Sequence, residues 1–316
     1  MPYLTQRATF THAGITSRCS LPLDGFVEQV DWVAGVPHVG AYQPGAPRPG
    51  GRFTRLSGVQ FELRGQSASG TQTPEGDILR AAGFARTGST GYTFALGDPH
   101  ASTDTPAGDA VRISSSALNI DGVQWPLANS VTDVSFMFRA GEIPTLTCDF
   151  LGKVGDSDAD SSHAILTSAS APSVTTGPLP APWVNSTITL NGVSLNDVPV
   201  KEIFTALRNR LAPRKSAGGK FGYADADITG RNPGGWLVLE MPPEATVAIE
   251  DLIVSNTSVP LAWTYTAGGS SFKTYSITQT VVFSQMARRR DIDGRLCYVL
   301  EFAQDPASGP LTLGVS

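Results

Sequence analysis

The sequence predicts a mainly β protein, built from short strands and hairpins with a few short helices. Charged residues make up only 16% of the 316 residues, while the chain holds 33 glycines and 23 prolines, which is typical of short strands joined by turns. Asp-Gly at 121–122 and Asn-Gly at 191–192 each separate two strand-like segments, the strongest short-range signal for a β-hairpin. Residues 59–64 alternate apolar and polar side chains, as a strand with one buried face does.

The first 84 residues predict an arm, two strands and a helix. In order, they are an N-terminal arm at 1–20, a strand at 26–36, a Gly/Pro-rich linker at 38–52, a strand at 58–64, a polar loop at 65–73 and a short helix. Thr73 can cap that helix, and Pro74 fits its first position. Glu75 suits the positive end of the helix dipole, and Gly83 is a stop signal.

The next segments predict two hairpins and a linker. A short strand carries Tyr92 and Phe94, and a hairpin covers 111–125 around the Asp-Gly turn. A second hairpin pairs 131–138 with 144–154 through a turn at 139–142. The stretch from 155 to 182 is almost entirely Asp, Ser, Ala, Thr and Pro, which indicates a linker.

The pattern resumes after this linker. A hairpin is predicted at 187–195, strands at 224–230, 235–241 and 261–266, a helix at 243–253, and a closing hairpin of 279–286 with 295–302 through a charged turn at 288–294. Apolar residues recur every four positions in 200–211, which is compatible with either a short helix or a strand.

The order of elements suggests that one unit occurs twice. Strand, charged turn and strand follow each other at 131–154 and at 279–304, and Pro-Glu precedes a predicted helix at 74–75 and at 243–244. The segments at 62–65 and 227–231 are also comparable. We therefore expect an arm at 1–20, a first β domain at 21–155, a linker at 156–182 and a second β domain at 183–316.

Charge and hydropathy exclude some partners. The net charge of −5 argues against a basic surface that grips nucleic acid, because such a grip needs many Lys and Arg on phosphates. No stretch of about 18 apolar residues is present, and the N-terminus lacks a signal-peptide pattern. We expect a soluble protein made in the cytoplasm, with no membrane partner.

No residues predict catalysis, a metal site or a cofactor. Cys19, Cys148 and Cys297 are far apart in sequence and are expected to be buried thiols. The four histidines, at 12, 38, 100 and 163, fall in predicted loops, and no Gly-x-Ser-x-Gly motif is present. The alternating aspartates at 156–160 fail the calcium-loop pattern because Ser161 stands where glycine is required. We expect no enzyme.

Three segments together resemble a known family. The strand, Gly/Ser-rich loop and PEGDILRAAGF at 58–84, the run FRAGEIPTLTCDFLGKV at 138–154, and Thr-Gly-Arg-Asn-Pro at 229–233 are similar to siphophage tail tube proteins, in the same order and with similar gaps. The similarity extends over most of residues 55–310. The sequence departs from the family at Gln66-Ser67, where Ser-Gly is usual, and at Cys148, where an apolar residue is usual.

The resemblance implies an antiparallel β-sandwich with flanking short helices, which is the barrel-forming tail tube fold, and it implies an assembly. Inner sheets of neighbouring subunits would join edge to edge into a closed ring, and rings would stack into a tube for DNA ejection in the virion tail. A chain with two fused units would form a ring of three with pseudo-sixfold symmetry, and a chain with one unit a ring of six. Further partners implied are the tape measure protein and DNA in the lumen, and the tail terminator and distal tail proteins.

Charged and turn-forming positions near the matching segments are candidate inter-subunit or structural residues: Arg64, Gly65, Pro74, Glu75, Arg139, Glu142, Arg231 and Arg288. Arginines 288–290 could contact nucleic acid, but a solvated turn or a ring-to-ring ion pair is favoured. An alternative is a carbohydrate-binding or adhesin module on a β-sandwich. Such a module would cluster exposed Trp on one sheet face, whereas the five Trp are scattered along this sequence.

Overall fold

The structure is a computed structural model that describes residues 8–12, 15–19, 26–33, 48–64, 75–88, 92–96, 112–120, 123–154, 180–215, 223–241, 248–267, 274–284, 288–305 and 310–315. The predicted loop at 65–73, Thr73, Pro74, the Asp-Gly turn and most of the predicted linker at 155–182 lie outside these residues.

The first half contains nine strands and one helix among the described residues. They are β1 (Thr9–His12), β2 (Ile15–Arg18), β3 (Phe26–Val33), β4 (Arg48–Glu62), α1 (Gly76–Ala81), β5 (Phe84–Thr87), β6 (Tyr92–Leu96), β7 (Ile113–Ile120), β8 (Val123–Arg139) and β9 (Thr145–Val154).

The second half contains eleven strands and one helix among the described residues. They are β10 (Ile188–Leu190), β11 (Val193–Ser194), β12 (Val200–Ala206), β13 (Arg210–Lys215), β14 (Tyr223–Gly230), β15 (Gly234–Glu240), α2 (Ile249–Ser255), β16 (Val259–Thr266), β17 (Thr274–Phe283), β18 (Arg288–Ile292), β19 (Arg295–Gln304) and β20 (Thr312–Val315).

The predicted mainly β class with short helices is confirmed. All pairings between these strands are antiparallel. The Asn-Gly pair at 191–192 forms the predicted turn between β10 and β11, with positive φ at both residues. In the part of the chain that the structure describes, no helix is long and apolar enough to cross a membrane.

Eight strands form one continuous layer, which we call the long sheet. Its order is β3–β4–β9–β8–β12–β15–β19–β18. Strand β8 belongs to the first half and β12 to the second, so this layer runs without a break from one half into the other. Side chains alternate along it, and Val134, Phe136 and Phe138 are buried on its inner face.

Two smaller sets of strands complete the sandwich. Strands β2, β1 and β7 continue from the start of β8, and β11, β10 and β16 continue from β17. Strand β20 links the halves again, because it pairs with β17 on one side and with β6 on the other. The core contains an aromatic cluster in which the Phe138 ring lies 5.6 Å from Trp183 and 5.7 Å from Trp263.

Three predicted segments differ in the structure because strand pairing overrides the local pattern. Residues 123–139 form one strand, since β8 pairs with β7 at its start and with β9 and β12 farther on. Residues 200–206, for which a short helix and a strand were both compatible with the pattern, form a strand. Residues 288–292 form strand β18 with exposed charged side chains, so the predicted charged turn shrinks to 293–294. Strand β4 begins at Arg48, inside the predicted linker.

The two helices lie at the predicted places with different ends. Helix α1 buries Ile78, Leu79 and Ala81, and Gly83 follows it with φ of +93°, as expected of a stop signal. Helix α2 begins at Ile249, later than the predicted start at 243. It ends at Ser255 and is followed by Asn256 in the left-handed conformation.

Strand pairings recur in the two halves. The pairs β1–β2, β1–β7, β4–β9 and β7–β8 correspond to β10–β11, β10–β16, β15–β19 and β16–β17. The long strand β8 corresponds to β17 followed by β18, which both pair with β19 as β8 pairs with β9. Likewise, β3 corresponds to β12 followed by β13, and β4 corresponds to β14 followed by β15. The predicted arm at 1–20 contains the β1–β2 hairpin, in which Phe10 is fully buried.

The residues weighed for catalysis lie in structural positions. The three cysteines are free and buried, as expected. His12 was predicted in a loop, and this is wrong: it lies in β1 and is fully buried, because β1 pairs with both β2 and β7. The other three histidines lie outside the described residues.

Candidate assembly surface

The long sheet turns one face away from the core, and this face is crossed by ion pairs. Residues that are directly paired across an antiparallel sheet point to the same side. One such row runs from Arg139 on β8 through Glu202, Val238 and Val299 to Arg288 on β18. This row therefore connects two of the predicted site residues, Arg139 and Arg288, across five strands.

Four ion pairs join charged residues of paired strands on this layer: Arg55–Asp149 at 3.9 Å, Arg139–Glu202 at 2.7 Å, Lys201–Glu240 at 2.9 Å and Arg288–Glu301 at 3.3 Å. Exposed pairs of this kind add little stability. Their effect is on the surface potential. Each of these cations lies beside an acid, so positive and negative groups alternate across the face.

A depression of about 600 Å³ lies on this face, where β8, β12, β15, β18 and β19 meet. Its wall includes Arg139, Glu142 and Arg290. Trp236 also lines the depression, and its ring stacks on Phe204 with centroids 3.9 Å apart. In the described part of the chain no group of three His, Cys, Asp or Glu could hold a metal ion. The depression thus offers charged and aromatic contact surface.

The structure brings together two of the candidate residues, Arg139 and Glu142. Their charged groups are 3.9 Å apart, and the Arg139 Nε–H also donates to Glu202. This contact to Glu202 raises the pKa of the Arg139 guanidinium, so the group stays charged. The turn carrying both residues is held by main-chain bonds to the second half, from Ala140 N to the Lys201 carbonyl and from Trp183 N to the Glu142 carbonyl.

Glu75 is a buried junction residue. One carboxylate oxygen accepts the Arg64 N–H at 3.0 Å, and the other accepts the Tyr275 hydroxyl at 3.1 Å. Burial raises the pKa of the Glu75 carboxyl group to about 7. Arg64 places its side chain on Glu62, 3.1 Å away. Two of the candidate residues, Arg64 and Glu75, therefore meet through the Arg64 main chain, and Tyr275 of the second half completes the contact.

Tyr265 forms a second link between the halves. Its hydroxyl donates to the Leu63 carbonyl at 3.0 Å and accepts the Ala181 N–H at 3.1 Å. The rings of Tyr265 and Tyr275 stack at 5.9 Å. Sequence analysis missed both tyrosines, because an alternating strand predicts only that they face the core, and their partners lie about 200 positions away.

Arg231 fastens the second half to the C-terminal end of α1. Its guanidinium donates to the Ala82 carbonyl at 3.0 Å and to the Asn209 side chain at 2.8 Å. Asn209 in turn donates to the carbonyls of Ala82 and Thr132, at 2.9 and 3.1 Å. A cation is favourable at this end of a helix. Arg231 passes directly over Gly83, where an added Cβ would lie 2.3 Å from the guanidinium.

The hairpin β13–β14 covers part of the outer face of the long sheet. Its Ala226 and Ile228 pack on Phe53, Val131 and Leu151 of the first half and form a small second core. The Arg112 side chain, from the first half, donates a hydrogen bond to the Ala226 carbonyl at 3.0 Å and so anchors the hairpin to the first half. The second half therefore contacts the first half in two ways, through the pairing of β12 with β8 and through the β13–β14 hairpin.

Arg288 lies on β18, apart from the other candidates. Its side chain is 75% exposed and pairs with Glu301, while Arg289 and the Tyr298 hydroxyl both contact Glu250. These contacts hold β18 in extended form along β19. Gly65 and Pro74, the remaining candidates, lie outside the described residues.

Comparison with known proteins agrees with this architecture. The family model described as phage tail tube protein matches residues 8–310, nearly the whole chain. Comparison with curated proteins gives no match. The family match spans both halves, the long sheet and both helices, so the chain belongs to the phage tail tube protein family.

Proposed function

We propose that this protein is the major tail tube subunit of a siphophage and polymerises into stacked rings that form the channel for DNA ejection. The observation that carries the proposal is the long sheet, an eight-strand layer within a chain of the tail tube family. Ring closure would remove its exposed edges, which are otherwise an aggregation hazard. The role is structural and needs no enzymatic activity.

Residues 21–155 and 183–316 are two copies of one β unit joined by a linker at 156–182. The recurring strand pairings support this division. Because the β1–β2 hairpin is the counterpart of β10–β11, we assign it to the first unit as well. A subunit with two units would form a ring of three with pseudo-sixfold symmetry. A ring of six such chains is the alternative.

The outer face of the long sheet would line the channel. Its ion pairs support this assignment, because Arg139, Lys201 and Arg288 are each neutralised by an acid of a paired strand. Lysines and arginines free to bind phosphates would retard DNA in the lumen. The proposed partners are the neighbouring rings, the tape measure protein and DNA in the lumen, and the tail terminator and distal tail proteins of the virion.

The adhesin alternative has less support. Trp183 and Trp263 are buried, and Trp236 is half-buried on Phe204. Among the side chains that the structure describes, no cluster of exposed Trp forms a flat sugar-binding platform. Binding to a glycan array would support this alternative.

Electron microscopy of concentrated purified protein tests the tube directly. We expect rings or tubes, alone or with tail initiator components, and a ring mass of three chains. A mass of six chains would support the alternative stoichiometry. Monomers that persist with initiator components present would contradict the proposed function.

A further inference from the structure

Strand β20 lies between the two halves and pairs with one of them along each of its edges. On one edge, residues 312–315 pair with residues 275–278 of β17, and on the other edge they pair with residues 92–95 of β6. A further main-chain hydrogen bond runs from Leu96 N to the Leu311 carbonyl at 2.9 Å. Strand β20 is therefore inserted between two antiparallel partners that come from different halves of the chain.

Alternate side chains of β20 point into the core. The inward residues are 1%, 1% and 3% exposed, and they are Leu311, Leu313 and Val315. The two residues between them, Thr312 and Gly314, are half-buried. Because side chains of a strand alternate between its two faces, the position of β20 selects a peptide with an apolar side chain at every second residue.

The gap between β17 and β6, which we call the slot, has one wall from each half. Leu313 is paired with Ile277 of β17 and with Phe94 of β6, which are 2% and 0% exposed. The β17 wall also contains Tyr275, whose hydroxyl donates to Glu75 of the first half. The slot therefore adjoins the buried junction between the halves.

The β5–β6 hairpin belongs to the first half by sequence, but β20 attaches it to the second half. In the part of the chain that the structure describes, β6 pairs only with β5 and β20, and β5 pairs only with β6. Phe84 and Phe94 of this hairpin are buried. Since an isolated two-stranded hairpin is marginally stable in water, the order of β5–β6 depends on β20.

The pairings of β20 are all with segments that are distant in sequence. Among the described strands, β20 has no pairing with β19, which precedes it along the chain. The contacts that hold β20 in the slot are therefore those that a separate peptide of the same sequence would make. A strand bound in this way gains main-chain hydrogen bonds from the edges and specificity from its alternate side chains.

We propose that the slot is a strand-binding site, and that residues 310–315 occupy it as a separable peptide ligand that latches the two halves together. The class of ligand is an extended peptide with apolar side chains at every second position. The latch acts within one chain, so this inference does not depend on the proposed tube function.

Cleavage of the folded full chain tests whether the strand is separable. A protease recognition sequence is inserted between Ser308 and Gly309, outside the described residues, and the purified protein is cut after it has folded. We expect residues 309–316 to stay bound during size-exclusion chromatography. They should exchange for a fluorescent synthetic peptide of the same sequence in urea well below the midpoint of global unfolding.

Two altered peptides test the alternation of side chains. Leu313→Asp places a charge at an inward position and should weaken binding to the cut protein at least about tenfold, measured by fluorescence anisotropy. Gly314→Ala is the matched control, because its Cβ would lie 3.8 Å from the Ser276 carbonyl oxygen, which is an ordinary contact. This peptide should bind within about threefold of the native sequence. Equal binding of the native and Leu313→Asp peptides would overturn the proposed site.

Hydrogen exchange of the cut protein tests the latch. After the peptide is removed in urea and the protein is returned to buffer, amides of β5 and β6 should exchange at least about tenfold faster, since their attachment is lost. Amides of β4 and β9 are the control and should be unchanged. Adding the peptide of residues 309–316 should restore the slow exchange.

The outcomes distinguish the site from the latch. A cut protein that loses the peptide and does not rebind it, or that exchanges it only when the whole protein unfolds, would overturn the strand-binding site. Unchanged exchange of β5 and β6 after removal of the peptide would overturn the latch. Neither result would contradict the proposed tube function, which is tested by the formation of rings from the uncut protein.

Discussion

The Glu75 carboxyl group shows how burial changes the chemistry of a single residue. It is 2% exposed, and its hydrogen bonds to the Arg64 main chain and to the Tyr275 hydroxyl do not offset the loss of water. Asp133 is a second example, because burial raises its pKa to about 6. Both acids lie where the two halves meet, so their protonation is coupled to the integrity of that junction.

We expect the stability to fall as the pH rises from about 4.5 to 7. Unfolded Glu75 ionises near pH 4.5 and folded Glu75 near 7, so the folded state holds more protons in this range. The loss totals about 3 kcal/mol, by the conversion of 1.36 kcal/mol per pKa unit. Glu75→Gln should remove this part of the decline in urea unfolding at pH 5 and pH 8.

Glu62→Gln is the matched control, because Glu62 is an exposed acid that also contacts Arg64. Its pH profile should follow that of the wild type. Asp133 adds a smaller decline of the same sign, so a residual slope below about pH 6 is expected in Glu75→Gln. A Glu75→Gln profile identical to the wild type would contradict the raised pKa.

Arg231 is expected to stabilise the junction through geometry as well as charge. Arg231→Ala removes hydrogen bonds to Ala82 and Asn209 and should lower the free energy of unfolding by about 1–3 kcal/mol. Arg231→Lys should lose most of the same energy, because an ammonium group lacks the forked donors. Arg214→Ala, an exposed arginine paired with Asp225, should change stability by less than about 1 kcal/mol. Equal losses for all three variants would contradict this role.

At the scale of elements, the long sheet depends on close contact between main chains at its centre. Gly235 on β15 lies opposite Thr205 on β12, and an added Cβ would come 1.9 Å from the Phe204 carbonyl oxygen. Alternation explains why apolar residues face the core, but this contact is visible only once β12 and β15 are paired.

Gly235→Ala should therefore disrupt the β12–β15 pairing. We expect a loss of about 3 kcal/mol, because the clash involves a main-chain atom that cannot move without bending a strand. Thermal and urea unfolding measure the loss. Gly230→Ala on β14, where an added Cβ has open space, should stay within about 0.5 kcal/mol of the wild type. A tolerated Gly235→Ala would show that these strands are spaced more widely.

At the scale of the whole molecule, the charge pattern of the long sheet predicts how tightly an assembled tube would bind DNA. Glu202, Glu240 and Glu301 neutralise the cations of one face. Neutralising all three acids frees those cations and changes the net charge of −5 by +3, to −2. Assembled tubes of the variant Glu202→Gln, Glu240→Gln, Glu301→Gln should bind DNA more tightly than wild-type tubes at 50 mM salt.

This gain should shrink steeply at 200 mM salt, because phosphate contacts release counterions. The control carries the same charge change on exposed acids away from these three ion pairs, through Asp197→Asn, Asp251→Asn and Asp291→Asn. If both triple variants bind DNA equally, net charge alone explains the gain. Such a result would contradict the assignment of the ion-paired face to the channel.

Much of the architecture is readable from local sequence. The Asn-Gly turn at 191–192, the stop at Gly83 and the alternating strands β9 and β16 follow from local backbone preference and side-chain periodicity. The family resemblance follows from the same local segments. Of the candidate residues, Arg139 and Glu142 lie three positions apart in one turn, so their ion pair is a local contact.

Tertiary structure decided the rest. The charged segment 288–292 is a strand because β19 supplies its main-chain partners, and the buried Glu75 has a hydrogen-bond partner in Tyr275, 200 positions away. Local sequence determined turns, periodicity and class, since these depend on a residue and its nearest neighbours. The joining of β8 to β12 depends on contacts between distant segments, and only the folded chain brings those together.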